Sequence, residues 1–402
     1  MAMDLIYLDH NATTPLRPEA AAAMARSQAE IFGNPASQHA AGRRARRALE
    51  EAREWIGRRL GAELDQFHAD RVIFTSGGAE SNHLALLGLA GDRPGHAVVS
   101  AIEHPSVVGP ARWLARHGWQ IDWLGVTPEG RVDADALPGL LRPETRFVSV
   151  MLGNNETGVL QPVERLAAHC SAAEVFVHTD AVQVVGKRPV DFRAIGVDLL
   201  SVAAHKFHGP VGIGALLIRH GVELAPLMFG GFQQGGLRPG SESVALAAGM
   251  HAALEACERD QAEFCERAGR LRDEFERTLL GECPELIVHG AAAERLPHTS
   301  SVAFPGVEGQ AFLLALDLAG VCCSRGSACA SGSSEASPTL LAMGVEKAVA
   351  ERSLRFSLGR GTTTAEATQA ARRILDVYKD LRAKNSRRKT AVSPRHGGPN
   401  SL

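Results

Sequence analysis

Between residues 71 and 219, short apolar runs alternate with stretches of helical period. The runs over 71–75, 97–100, 120–124, 146–151, 175–178, 198–202 and 214–218 are rich in Val, Ile, Leu and Phe. Apolar runs that continue without polar alternation predict strands covered on both faces, as in a largely parallel sheet. Helix-period segments such as 80–89 and 163–172 lie between them and supply the cover. Further on, Leu254, Cys257, Gln261, Phe264, Ala268, Leu271, Phe275 and Leu279 recur at spacings of three and four. A Gln within that stripe favours one long core-facing helix over a coiled coil. It leads into a smaller C-terminal α/β domain from about residue 260 onward.

The basic stretch Arg43, Arg44, Arg46, Arg47, Arg58 and Arg59 is interleaved with Glu50, Glu51 and Glu54. Ala45, Ala48, Leu49, Ala52 and Ile56 form its apolar stripe, so it reads as a solvated helix and not a nucleic-acid face. Residues 384–402 hold five basic residues and no acid among Ser, Pro and Gly, which predicts a disordered tail.

Composition narrows this picture. A chain of 402 residues exceeds one ordinary core, so two domains are expected. Hydrophobic residues at 45% and charged residues at 22% fit a soluble globular protein. A formal net charge of −2 gives no reason to expect nucleic acid or an anionic membrane as partner. Asp4, Asp9, Arg17 and Glu19 leave no room for a signal-peptide core, and no apolar run is long enough to span a bilayer. The seven cysteines are scattered without a CxxC pair, which suits reduced thiols in a cytoplasmic protein.

The candidate chemistry lies where strands end. Phe74-Thr75-Ser76-Gly77-Gly78-Ala79-Glu80-Ser81-Asn82 joins a strand to a helix. Its glycines admit close backbone approach, and the first helical turn offers free N–H groups to a phosphate. A tight turn needs glycine in any case. Val177-His178-Thr179-Asp180-Ala181-Val182-Gln183 sets an acid just past a buried strand, where α/β sites collect ligands. Asp180 suits a pyridoxal-phosphate (PLP) enzyme, whose ring nitrogen needs a carboxylate, and it equally suits a helix N-cap.

One strand later, Ser201-Val202-Ala203-Ala204-His205-Lys206-Phe207 puts a lysine among small residues. Desolvation and a nearby cation would adapt such a lysine to carbonyl chemistry. Around Cys329, the run Ser327-Ala328-Cys329-Ala330-Ser331-Gly332-Ser333-Ser334 is built from small residues. That composition predicts a loop able to carry a thiol. Cys322 and Cys323 follow Leu318-Ala319-Gly320-Val321 and read as buried strand thiols. The spacing of these three cysteines is not that of a zinc site, and no metal is expected.

Together these motifs resemble the cysteine desulfurases, of NifS/IscS type, in the class V aminotransferase superfamily. The resemblance runs from Tyr7-Leu8-Asp9-His10-Asn11-Ala12-Thr13-Thr14-Pro15 to Leu354-Arg355-Phe356-Ser357-Leu358-Gly359-Arg360. Phe32-Gly33-Asn34-Pro35-Ala36-Ser37, Glu103-His104-Pro105 and Asn154-Asn155-Glu156-Thr157-Gly158 match in order between them.

The resemblance implies an α/β PLP-dependent transferase fold of the aspartate aminotransferase-like kind. It has a large, mostly parallel-sheet domain over 16–259 and a smaller α/β domain from 1–15 and 260–383. It also implies conversion of L-cysteine to L-alanine by a homodimer, with the sulfur held as a persulfide on Cys329. The sulfur would pass to an iron–sulfur scaffold or another acceptor protein. The blocks around Asn155, His104 and Asp180 lean towards the nitrogen-fixation type.

By the same resemblance, Lys206 holds PLP covalently and moves protons, Asp180 meets the ring nitrogen, and Gln183 meets the phenolic oxygen. Asn155 touches cofactor and substrate, and His104 stacks on the ring as an acid or base. Gly78, Ala79 and His205 hold the phosphate, with Ser241 reaching in from the second subunit, and Arg355 clamps the substrate carboxylate. This chain departs from the family at Ala79 and Ala203, where relatives carry Thr and often Ser to bind the phosphate. A selenocysteine lyase or kynureninase-like enzyme of the same fold needs no thiol at Cys329. A non-catalytic PLP-fold scaffold for iron–sulfur proteins needs neither Lys206 nor Cys329.

Overall fold

The computed structural model describes residues 4–65, 67–326 and 336–391. Its strands in chain order are β1 Ile6–Tyr7, β2 Arg71–Thr75, β3 His96–Ser100, β4 Gln120–Leu124, β5 Thr145–Ser149 and β6 Phe176–Asp180. They continue with β7 Leu199–Ala203, β8 Gly214–Ile218, β9 Ile287–Val288, β10 Thr299–Ala303, β11 Val321–Cys322 and β12 Ser353–Ser357. The apolar runs thus become strands, with bounds moved by a residue or two.

β2 to β8 form one seven-stranded sheet in the order β2-β8-β7-β6-β5-β3-β4. All neighbours are parallel except β8, which is antiparallel to both β2 and β7. β3, β7 and β8 are buried along their whole length, which is why their sequences show no polar alternation. Successive side chains still point to opposite faces. Val72, Phe74, Val98, Val148, Val177, Leu200 and Leu217 join one apolar cluster with helices Ala40–Arg59, Val163–Ala172 and Val244–Arg259. Ile73, Val99, Phe147, Leu199, Leu216 and Ile218 join another with helices Gly78–Ala90 and Pro105–Arg116.

A further cluster gathers Ile6 and Leu8 with Leu271, Phe275, Phe304, Phe356, Ile374 and Tyr378. It underlies the antiparallel sheet β12-β10-β9 and the parallel pair β1-β11, so the N-terminal strand packs with the C-terminal part of the chain.

The long amphipathic segment is not one helix. It breaks at Asp260 between helices Val244–Arg259 and Gln261–Glu282, with Leu254 and Cys257 in the first cluster and Phe275 and Leu279 in the C-terminal one. Side-chain spacing cannot reveal the break, because the stripe keeps its period across it. Asp260 Oδ2 accepts from Arg17 at 3.0 Å, and its Oδ1 accepts from Arg360 Nε at 2.8 Å. The final helix runs from Thr364 to Ala391, so helical structure enters the segment read as a tail from residue 384. Residues 392–402 lie outside the described residues. Among the described residues, no helix is long and apolar enough to cross a membrane.

Candidate active site

β2, β3, β5, β6 and β7 all run in one direction, so the segments leaving their C-terminal ends meet at one edge of the sheet. A cavity of about 260 Å³ opens there. Gly78, Ala79, His104, Asn155, Asp180, Gln183, Ala203, His205, Lys206 and Arg355 all line it.

The turn after β2 has Gly77 at φ +156°, a conformation that a side chain rarely adopts. A Cβ on Gly78 would come within 2.8 Å of Val182 Cγ2. Both glycines are therefore needed to bring helix Gly78–Ala90 onto the end of β6. No side chain caps that helix, so the N–H groups of its first turn remain available to an anion.

Asp180 ends β6, and its carboxylate is held by two donors. Oδ1 accepts from the Val182 N–H at 3.0 Å and Oδ2 from Asn82 Nδ2 at 2.7 Å. Asn82 Nδ2 also donates to Ser106 Oγ at 2.9 Å, and Ser106 Oγ lies 2.7 Å from His104 Nδ1. The Ser106 N–H also points at His104 Nδ1, at 3.2 Å, so this nitrogen is an acceptor and the ring proton sits on Nε2. Burial lowers the His104 pKa, with Asp180 opposing and Lys206 and Arg355 reinforcing, so the imidazole is neutral at pH 7.

Lys206 ends the short turn Ala204–Lys206 that follows β7. Its Nζ donates to the carbonyls of Asn11 at 2.6 Å and Ala12 at 2.7 Å. Burial, with Lys206 and Lys187 nearby, brings the His205 pKa down to about 4. Arg355 sits mid-way along β12 at 2% exposure. Its Nη2 pairs with Asp9 Oδ1 at 2.7 Å and its Nη1 donates to the Asn155 carbonyl at 3.0 Å, while Nε has no partner among the described residues. Arg355 is thus both a cavity residue and an ion-paired strand residue.

Two predicted residues are not brought to this cavity. Ser241 is exposed and does not line the cavity of its own chain. Cys329 lies outside the described residues, within 327–335. The ends of that segment are described: Ser337 Oγ donates to Glu156 Oε2 at 2.5 Å, and a Cβ on Gly326 would meet the same oxygen at 2.5 Å. Cys322 lies on β11, and burial raises the thiol pKa of both Cys322 and Cys323.

Several residues at the site drew no role from the sequence. Asn11 and Asn82 stand inside motifs quoted above, but nothing in their spacing shows that their amides bridge distant elements. Lys187 is buried with no carboxylate partner among the described residues and reaches Gln183, four residues before it, instead. Glu103, beside His104, is buried, and its Oε2 has no hydrogen-bond partner among the described residues.

These features describe a fold-type PLP site, and comparison with known proteins agrees. A family model described as Aminotransferase class-V matches residues 6–369. Cysteine desulfurase IscS of Dictyoglomus turgidum is 44% identical over 89% of this chain and 90% of its own length. A cysteine desulfurase of Gluconacetobacter diazotrophicus is 42% identical over 95% of this chain and 94% of its own. A solved NifS-like protein superposes with a TM-score of 0.86 at 31% identity, covering 94% of this chain and all 100% of that one. The chain belongs to the cysteine desulfurases of the class-V aminotransferase family.

The cofactor is pyridoxal 5′-phosphate, and the residues present fit it. The cavity joins an uncapped helix terminus for a phosphate, a doubly held carboxylate for a ring nitrogen and a lysine amine for the aldehyde.

One prediction follows from Glu103. Burial pushes its carboxyl from 4.5 up to about 8, against hydrogen bonds from Ser100 and the Met151 N–H. The folded protein keeps a proton that the unfolded chain releases, so the associated stability is complete below pH 4.5 and is lost as pH rises towards about 8. Glu103→Gln, which cannot ionise, should flatten the decline in stability across that window. Urea unfolding at both ends of the window measures it, and an unchanged slope contradicts the assignment.

Proposed function

We propose that this enzyme takes sulfur from L-cysteine, holds it as a persulfide on Cys329 and releases L-alanine. The observation that carries the reading is the meeting of Lys206, Asp180, His104 and Arg355 in one cavity beside an uncapped helix terminus. Bound there, PLP supplies an electron sink for the pair left when a substrate carbon loses its proton.

This chain's residues do the rest. Asp180, fixed by Asn82 and the Val182 N–H, keeps the ring nitrogen protonated. Lys206 holds the cofactor covalently and, once released, moves the proton at the substrate Cα. His104 would stack on the ring, and its Nε2–H, oriented by Ser106, would serve as a proton donor. Gln183 faces the phenolic oxygen, and Asn155 contacts cofactor and substrate. Gly78, Ala79 and His205 would hold the phosphate, and Ala203 lines the same cavity. Arg355 exchanges Asp9 for the substrate carboxylate, a planar anion that suits the same guanidinium face.

The sulfur step balances without an outside redox agent. The substrate carbon–sulfur bond breaks and a sulfur–sulfur bond forms at Cys329. A proton takes the place of sulfur on the substrate carbon, so cysteine and a thiol become alanine and a persulfide.

Ser241 reaches the phosphate from a second copy of the chain. The exposed apolar residues Leu227, Met228, Phe229 and Phe232 precede it and suit burial in a homodimer. The large unit spans 16–259, and 1–15 with 260–383 forms the small unit that carries Cys329. The persulfide then supplies an acceptor protein for iron–sulfur cluster assembly in the cytoplasm. The motif blocks lean towards nitrogenase maturation, and the similar proteins include both IscS-named and NifS-like ones.

Four outcomes test this. Cys329→Ala should bind cysteine and change the visible spectrum yet release almost no alanine, while Lys206→Ala should fail earlier, at proton transfer. Mass spectrometry of peptides after one turnover should find the added sulfur on Cys329, and its appearance on Cys322 or Cys323 would overturn the assignment. The side chain of Ala79 is exposed, so Ala79→Thr fits without clash and adds a donor for the phosphate. PLP retention in dialysis should rise roughly tenfold or more, the value of a hydrogen bond to a charged group, and unchanged loss would show the phosphate already satisfied. Sedimentation at assay concentration should show a dimer, and a fully active monomer would remove Ser241 from the site.

A further inference from the structure

Lys187 is 3% exposed, a rare position for a lysine without a carboxylate beside it. Its Nζ donates to the Gln183 carbonyl at 3.1 Å and to Gln183 Oε1 at 3.2 Å. The Gln183 amide nitrogen in turn donates to the Asn11 carbonyl at 3.0 Å. The Asn11 carbonyl only accepts and so demands the amide nitrogen, and Lys187 Nζ donates to Oε1 in that same orientation. Flipping it would set two oxygens against each other at Asn11 and take the acceptor Oε1 away from the Lys187 amine. Even an uncharged amine has hydrogens for both acceptors. With Oε1 turned to Lys187 and one N–H on Asn11, the second N–H belongs to a side chain that lines the cavity.

We propose that Lys187 is a positioning residue that locks the Gln183 amide as a donor towards the cavity. The locked amide favours an oxyanion there and disfavours a group that needs an acceptor. This rests on the reading that Gln183 faces the phenolic oxygen of the cofactor. Burial, followed by the charges of Lys206 and Arg360, holds the Lys187 pKa well below its ordinary value. Lys187 is therefore a poor candidate for a structural ion pair, and Gln183 supplies its hydrogen-bond acceptors.

The test is a double-variant cycle on the full chain, reading cofactor affinity by visible absorbance as PLP is titrated in. Gln183→Ala and Lys187→Met should each weaken affinity roughly five- to tenfold, the factor that one buried hydrogen bond is worth. The double variant should bind no more weakly than Gln183→Ala alone. Lys187→Gln keeps a donor for Oε1 and should stay within about twofold of the parent, a fraction of one hydrogen bond. If Lys187→Met weakens binding as much in the Gln183→Ala background, Lys187 acts only through general stability and the proposal fails. It fails too if Gln183→Ala weakens binding and Lys187→Met does not. Should Gln183→Ala itself bind like the parent, the underlying reading of Gln183 is what falls.

Discussion

The carbonyl and side chain of Asn11 form the joint on which this site depends. Asn11 is 1% exposed, so each of its polar groups must find a partner inside the protein. Its carbonyl accepts from Lys206 Nζ and Gln183 Nε2, its N–H donates to Ser357 Oγ, and its Nδ2 donates to the Asn155 carbonyl and Thr299 Oγ1. His298 Nε2 completes the set at Oδ1, at 2.7 Å. One residue near the N-terminus thereby ties the large sheet, the loop after β5 and the small sheet together. The N–H and Oδ1 each have one partner here, so loss of the Ser357 or His298 bond would leave a buried polar atom unpaired, at a cost of about 1–3 kcal/mol.

Around this joint the histidines are kept uncharged while the long cations stay close. Burial brings His10, His205 and His208 to about 4 and His178 to about 3, and it lowers His104 and His298 as well. Lys206 or Lys187 adds to the lowering at His10, His104, His205 and His298. Neutral imidazoles serve as directional donors and acceptors, and the field in the cavity comes mainly from Lys206, Arg355 and Asp180. Such a balance suits a ligand that carries a phosphate and meets a substrate carboxylate.

Charged groups also join distant parts of the chain. Arg17 and Arg360 share Asp260 at the break between the two long helices, and the Arg360 guanidinium lies 4.3 Å from the Phe264 ring centroid. Arg355 belongs to the small sheet yet reaches Asp9 and the Asn155 carbonyl. Glu156, the residue after Asn155, touches both ends of the segment that carries Cys329. The cofactor cavity and the base of that segment are therefore linked through neighbouring residues.

Much of this was legible in the residues alone. Continuous apolar runs marked the strands, because a sheet covered on both faces needs no polar alternation. The Gly77-Gly78 turn, Asp180 and Lys206 stood at strand ends, where the topology of a parallel sheet places ligands. Tertiary structure alone decided the rest. The stripe from Leu254 to Leu279 keeps its spacing through Asp260, so only the arginines that converge on that carboxylate reveal the break. Asn82 and Asn11 act through hydrogen bonds to residues distant in the chain, and such bonds leave no period or spacing in a sequence. Side-chain type showed which chemistry was present, while the direction of each amide and imidazole was decided by neighbours that meet only in the folded chain.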